Sequence, residues 1–311
     1  MIQELSNNGF RWIDITKPTK AEMNTLGQEF RFHELNLEDC LSKFQIPKID
    51  RYEDHIFVIL QFPIITHEKM PTYGQLAGFV GKDYLLTVHQ GDLKPLVDLF
   101  EACRRNENFR DESMGTSAGY LFHSIVDALT DDLLDIVRKI VGNIDDIEDL
   151  VFDKKTDAAN EISYIRRQIT VLRRIAIPLR RTLIEITTKD MGRFSDKDLT
   201  LYFDDVNDHL DKVVETIEES KETIEIYKDT DFMHATDRSN KILAVLTIIF
   251  TLSMPITILS SLYGMNIDIP VVSERGSQTL FGGLTTFSFI VAGSAAAAGA
   301  MLAYFHKIRW I

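Results

Sequence analysis

The stretch ILAVLTIIFTLSMPITILSSLYGMN, residues 242–266, decides how this chain is read. Its first 21 residues, Ile242 to Leu262, carry no charge. A helix needs roughly 20 apolar residues to cross a hydrocarbon core, so the run reads as a membrane span. Pro255 lies inside it, as membrane helices tolerate. The run then stops on Gly264-Met265-Asn266, a residue free to turn followed by a polar amide. Upstream, no Gly or Pro occurs between Gly192 and Pro255. The soluble pattern LTLYFDDVNDHLDKVVETIEESKETIEIYKDTDF therefore flows into the span without a breaker, and one helix of about 60 residues, near 90 Å long, is expected. A helix of that length needs bundle partners or copies of itself.

A second apolar run, LFGGLTTFSFIVAGSAAAAGAMLAYF, covers Leu280 to Phe305. Its Gly, Ala, Ser and Thr content suits close helix packing in lipid. Arg238 and Lys241 precede the first run, and Lys307 and Arg309 follow the second; the loop between holds Arg275 against Asp268 and Glu274. The positive-inside rule puts both chain ends in the cytoplasm, with Tyr304 and Trp310 in an interfacial belt.

The rest of the chain is different in kind. The whole sequence has 311 residues, mean hydropathy −0.06 and net charge −13. From Lys241 onward there are four basic and two acidic residues, so residues 1–240 carry −15. Nucleic acid is a poor partner for such a body, since phosphate contacts need clustered Lys and Arg. Cations are its natural partners. Cys40 and Cys103 are too few and too scattered for a disulfide framework, and reduced thiols are expected. The start MIQELSNNGFRW has no basic-then-apolar leader, so insertion is expected to rely on the C-terminal runs. No P-loop, nucleophile elbow, HExxH or paired-cysteine pattern occurs, which speaks against an enzyme.

Residues 1–115 mix strand and helix signals. FRWIDIT is strand-like, and TKPTKAEMNTLGQEF opens like a capped helix. IFVILQFPII (56–65) is an apolar, β-branched run, and QLAGFVGKDYLLTVH (75–89) reads as two strands around Gly81-Lys82-Asp83. DLKPLVDLFEACRR is a short amphipathic helix. Helical periodicity then takes over, in 118–151 and 158–188. The second of these carries Arg166-Arg167, Arg173-Arg174 and Arg180-Arg181, seven apart and on one face. Carboxylates on adjacent helices, such as Asp131, Asp132 and Asp145, are the expected partners. The organisation expected is an α/β domain (1–115), a helical stalk (116–240) and a two-helix membrane part (241–311, spans about 242–262 and 280–305).

Steps of three and four along the long helix join Asp229, Phe232, Thr236, Asn240, Leu243, Thr247, Phe250, Met254, Thr257 and Ser261 on one face. In the apolar segment this face alternates polar with apolar side chains. Ser and Thr can serve as interhelical glue. Equally, several copies of the helix could line a pore, with apolar rings as a gate and polar rings as stepping stones.

Tyr263-Gly264-Met265-Asn266, closing the first of two C-terminal spans after a long stalk, resembles the signature of the CorA family of divalent-cation transporters. The likeness extends over nearly the whole chain, from the α/β domain to the HKIRWI end. It implies a homopentamer in the membrane, its central pore lined by the first span, with Asn266 carbonyls ringing the outer mouth. A neutral amide suits outer-shell binding of hydrated Mg²⁺, which gives up water reluctantly. The resemblance further implies passive uptake of Mg²⁺ (Co²⁺ and Ni²⁺ as alternatives) driven by membrane potential. It also implies cytoplasmic Mg²⁺ sites between subunits that hold the pore shut. Asp205 matches the stalk aspartate of such a site; Glu68 is the candidate partner, and Asp208, Asp229 and Asp237 are further acidic candidates. The loop IDIPVVSERGSQ departs from the family's Met-Pro-Glu-Leu-like sequence, with Asp268 and Glu274 as its carboxylates. Zinc transport of ZntB type and a non-conducting metal sensor are the alternatives. No two of the eight histidines stand at zinc-like spacing, which favours Mg²⁺.

Overall fold

The computed structural model describes residues 1–7, 9–115, 117–153, 156–186, 191–195, 197–263 and 282–307. The N-terminal strands are β1 (Ile2–Asn7), β2 (Phe10–Thr16), β3 (Lys48–Arg51), β4 (His55–Ile65), β5 (Pro71–Gly81) and β6 (Tyr84–His89). They form one six-stranded sheet in the order β1-β2-β6-β5-β4-β3, antiparallel except for the parallel pair β2–β6. The expected strands are all present, and β5 and β6 turn at Lys82-Asp83 as the sequence indicates.

Both faces of the sheet are covered, which is why β4 is apolar without alternation. Phe57 and Ile59 point into one core with Phe79, Leu86 and Val88, under α1 (Lys20–Phe30) and α2 (Glu34–Leu41). Ile56, Val58, Leu60 and Phe62 point into the other, under the later helices. Thr19 caps α1, accepting from Glu22 N–H while the Glu22 carboxylate accepts from Thr19 N–H. This reciprocal pair fixes where the helix starts.

The second core runs on without a break into α3 (Lys94–Arg105), α4 (Glu107–Met114), α5 (Ala118–Phe152), α6 (Ala159–Ile186) and the first half of α7 (Thr200–Tyr263). Along α7, Phe203, Val206, Leu210, Val213, Ile217, Ile224 and Tyr227 enter it at helical spacing. Gly142 does not interrupt α5. Both cysteines are free and buried.

The arginine stripe of α6 meets carboxylates of an adjacent helix, as expected, but they are not the ones named as examples. Arg166 pairs with Glu225 at 2.9 Å, Arg173 with Glu218, and Arg180 with Asp211. All three carboxylates lie on α7, not at Asp131, Asp132 or Asp145 of α5. Each step of seven on α6 is answered by a step of seven on α7 running the other way, so the ladder locks an antiparallel register. The Arg173 guanidinium holds Glu218 below the usual carboxylate range. These pairs are largely exposed, and such pairs add little stability. Arg173→Ala is expected to lower the melting temperature by no more than about 3 °C in a calorimetric scan.

The chain divides into two compact units, Met1–Asp231 and Phe232–Ile311. The second holds the rest of α7 and α8 (Gly282–Lys307), the helix formed by most of the second apolar run. Among the described residues one helix, α7, is long and apolar enough to cross a membrane, with a window of mean hydropathy 2.4 that has no buried residue.

Candidate cation-binding sites

Two pairs at i, i+4 spacing face each other where α5 packs on α7. Asp127 and Asp131 stand on α5; Asp205 and His209 stand on α7. One carboxylate oxygen from each of Asp127 and Asp131 and one ring nitrogen of His209 lie within 4.8 Å of one another. His209 Nδ1 is 3.9 Å from Asp131 Oδ1, too far for a hydrogen bond, and it is buried without a partner. His123, one turn before Asp127 and 8% exposed, has its Nε2 3.1 Å from the Tyr202 carbonyl and leaves Nδ1 without a partner.

The electrostatics follow from this crowding. Burial is the main cause that pushes the Asp127 carboxyl above its ordinary value; Asp131 and Asp205 push the same way and the two histidines oppose them. Burial likewise lowers His123, against the pull of Asp127, the Tyr202 carbonyl and Asp205. The half-buried Asp127 carboxylate and the exposed Asp131 carboxylate beside it repel unless a cation lies between them. Two carboxylate oxygens and an imidazole nitrogen fit a divalent cation. The oxygens suit Mg²⁺, and the nitrogen also admits Co²⁺, Ni²⁺ or Zn²⁺.

Asp205 is exposed and couples to both His123 and Asp127. Asp208 is exposed, outside the three-ligand group. Glu68 sits on the β4–β5 turn, where its carbonyl accepts from the Tyr164 hydroxyl at 3.2 Å. Tyr164 is two residues from Arg166, which is level with Glu225, so within one chain Glu68 lies some 20 residues along α7 from Asp205, about 30 Å. The structure does not bring these two together in a single chain. Asp127, Asp131 and His209 escaped the sequence reading as ligands. The signals were present as D-x₃-D and D-x₃-H, on helices whose contact the sequence does not announce.

The second candidate is the stripe on α7. Asp229, Phe232, Thr236, Asn240, Leu243, Thr247, Phe250, Met254, Thr257 and Ser261 are all exposed, Phe250 to 68%. Ala244, Ile248, Thr251, Leu252, Pro255 and Leu259 are half-buried, whereas Ile242, Val245, Leu246, Ile249, Ile256 and Ile258 are exposed as the stripe is. The chain's own helices therefore leave the polar stripe uncovered. Thr236, Thr247 and Thr257 donate their hydroxyl hydrogens to the carbonyls of Phe232, Leu243 and Ser253 at 2.8–2.9 Å. With the hydrogen spent inward, what each hydroxyl can present outward is lone pairs. Such a surface accepts from water and attracts cations. Gly264, Met265, Asn266, Asp268 and Glu274 lie outside the described residues.

A family model described as "CorA-like Mg2+ transporter protein" matches residues 7–307. The chain is 27% identical over 307 residues to the cobalt/magnesium transport protein CorA of Thermotoga maritima, covering 96% of this chain and 83% of that one. It is 28% identical over 258 residues to the putative metal ion transporter YfjQ of Bacillus subtilis, covering 83% and 78%. Among solved structures, the complete CorA magnesium transporter of Methanocaldococcus jannaschii superposes with a TM-score of 0.79 at 19% identity, over 99% of this chain and 94% of that one.

Proposed function

Because the chain belongs to the CorA family of divalent metal ion transporters, we propose that it is a membrane channel for Mg²⁺ whose pore is lined by the exposed stripe of α7. The observation that carries this is the stripe itself. It holds polar and apolar side chains in alternation, has acceptor oxygens to offer, and is uncovered by the chain's own helices. Five copies of α7 in a homopentamer would cover it by facing one another. Residues 1–115 and 116–240 are then the cytoplasmic α/β domain and stalk, and 241–311 the membrane part, with α8 as its second span. Both termini are cytoplasmic and the Gly264–Asn266 loop faces out. Leu243, Phe250 and Met254 form apolar constrictions that gate by shedding water, and Asp229 rings the inner mouth. Entry of a divalent ion gains about 4.6 kcal/mol per 100 mV, twice the single-charge value.

Regulation is assigned to the α5–α7 cluster. Asp127, Asp131 and His209 hold cytosolic Mg²⁺, with Asp205 turned to a neighbouring copy, and the bound ion favours the closed state. Ion binding at about 100 times its Kd stabilises a protein by about 2.7 kcal/mol. Saturating Mg²⁺ should therefore raise the melting temperature of the wild type, and Asp127→Asn/Asp131→Asn should lose most of that rise in a thermal-shift titration.

The reading is tested by Mg²⁺ influx into proteoliposomes under an inside-negative potential. Influx supports it. Entry of Zn²⁺ but not Mg²⁺ keeps the pore and overturns the ion. No divalent flux through assembled protein leaves a metal sensor as the function.

A further inference from the structure

Three arginines of α6 are left over from its ion pairs with α7. Arg167, Arg174 and Arg181 each follow a paired arginine by one residue, and all three are exposed. Among the described residues none of them has an ion pair or a side-chain hydrogen bond. They are seven apart and form a straight row, about 10 Å from one to the next. A step of one residue turns about 100° around a helix, so this row points past the chain's own α7 rather than at it.

The complement stands on α7. Asp208, Glu215 and Glu222 are also seven apart and exposed, and among the described residues they too have no ion pair or side-chain hydrogen bond. Leu201 begins the same row and is 80% exposed, the most of any large apolar side chain described.

The two rows match in height as well as in spacing. Arg173 is level with Glu218 and the helices run antiparallel, so Arg174 is level with Ile217. Glu215 lies two residues further, about 3 Å along the helix. In the same way Arg167 comes about 3 Å from the level of Glu222, and Arg181 about 3 Å from the level of Asp208. That offset is less than the length of an arginine side chain. Turning a second copy about an axis parallel to α7 moves nothing along the axis, so one rotation can join all three pairs. A contact between two different surfaces, repeated by rotation without rise, closes into a ring. The charge of −15 on residues 1–240 repels nucleic acid, anionic lipid and other polyanions, whereas a copy offers carboxylates at the matching spacing and height. Resting on the channel reading for several copies around one axis, we propose that Arg167, Arg174 and Arg181 of one copy dock on Glu222, Glu215 and Asp208 of the next. Exposed pairs of this kind contribute more to the choice of partner and register than to affinity. Leu201 falls within the same contact.

The test coexpresses two full-length chains, one with Arg174→Cys and one with Glu215→Cys, and treats the purified protein in detergent with a short bismaleimide. Cys40 and Cys103 are buried, and neither chain carries both substitutions, so a product joining the two chains bridges copies. Product is expected, and none when Arg105→Cys on α3, also exposed, replaces Arg174→Cys. Adding Arg167→Glu/Arg181→Glu to the first chain should cut the yield about tenfold, since like charges then face each other. Adding Asp208→Arg/Glu222→Arg to the second chain should restore it. Light scattering gives the assembled mass beside each result. Assembled protein without product, or a yield that ignores the reversals, overturns this contact and leaves the channel reading standing. Protein that stays a single chain in detergent overturns both.

Discussion

Asn266→Ala should cut Mg²⁺ influx by about 10- to 100-fold while leaving the melting temperature of the soluble body unchanged. In the channel reading Asn266 presents an amide oxygen to hydrated Mg²⁺ at the outer mouth. Mg²⁺ keeps its inner water shell, so the site works through hydrogen bonds to that water. A hydrogen bond to a charged partner is worth about 1.5–3 kcal/mol, and 1.4 kcal/mol is tenfold in occupancy. Alanine removes the acceptor and keeps the backbone. Asn266 falls outside the unit Met1–Asp231, so a melting curve that moves with the flux would point to misfolding. Dye-loaded proteoliposomes give the flux, and unchanged influx through the variant would remove Asn266 from the filter. Asp268→Asn and Glu274→Gln, which delete only loop charge, should lower the initial rate in a salt-dependent way, as steering does.

Asp14→Ala should destabilise the soluble body by about 2–5 kcal/mol, since each buried donor left without an acceptor costs about 1–3 kcal/mol. Asp14 is 4% exposed on β2. It accepts from Thr87 Oγ1 at 2.5 Å and from Thr16 Oγ1 at 3.4 Å. His89 Nδ1 accepts from Gly91 N–H at 3.0 Å. That leaves the proton on Nε2, which donates to Asp14 at 3.2 Å. Trp12 Nε1 donates in turn to Thr87 Oγ1 at 3.1 Å. The network stitches β2 to β6, the one parallel pairing among the described strands. Alanine strands the Thr87 and His89 donors, 0% and 2% exposed, where water cannot reach them. Asp14→Asn keeps one acceptor and should cost about half as much. Urea melts followed by circular dichroism measure both, and a loss below about 1 kcal/mol for Asp14→Ala would show that the network contributes little.

Much of the architecture was legible because it rests on local rules. Thr19 and Glu22 announce a helix start, the run at 56–65 has the composition of a doubly covered strand, and the lack of Gly or Pro before Pro255 foretells a helix observed as 64 residues. What the sequence left open is which faces meet. Periodicity puts Arg166, Arg173 and Arg180 on one face of α6 but does not say that Glu225, Glu218 and Asp211 of α7 answer them. For the same reason Asp131 reads as an arginine partner until packing sets it beside His209. Histidine spacing does not mark His209, because its companions are carboxylates on another helix. The pairing of β2 with β6, about 70 residues apart, carries no local mark either.

The course of α7 also has a meaning for biosynthesis. The soluble core is not complete until Tyr227 has been made, since that residue still belongs to it. The apolar run begins at Ile242, fifteen residues later. At about 5–20 residues per second the ribosome covers that gap in roughly 1–3 s. The body thus acquires its last wall almost as the segment that commits the chain to the bilayer is being translated. Folding of the body and delivery to the membrane are placed in competition for one nascent helix.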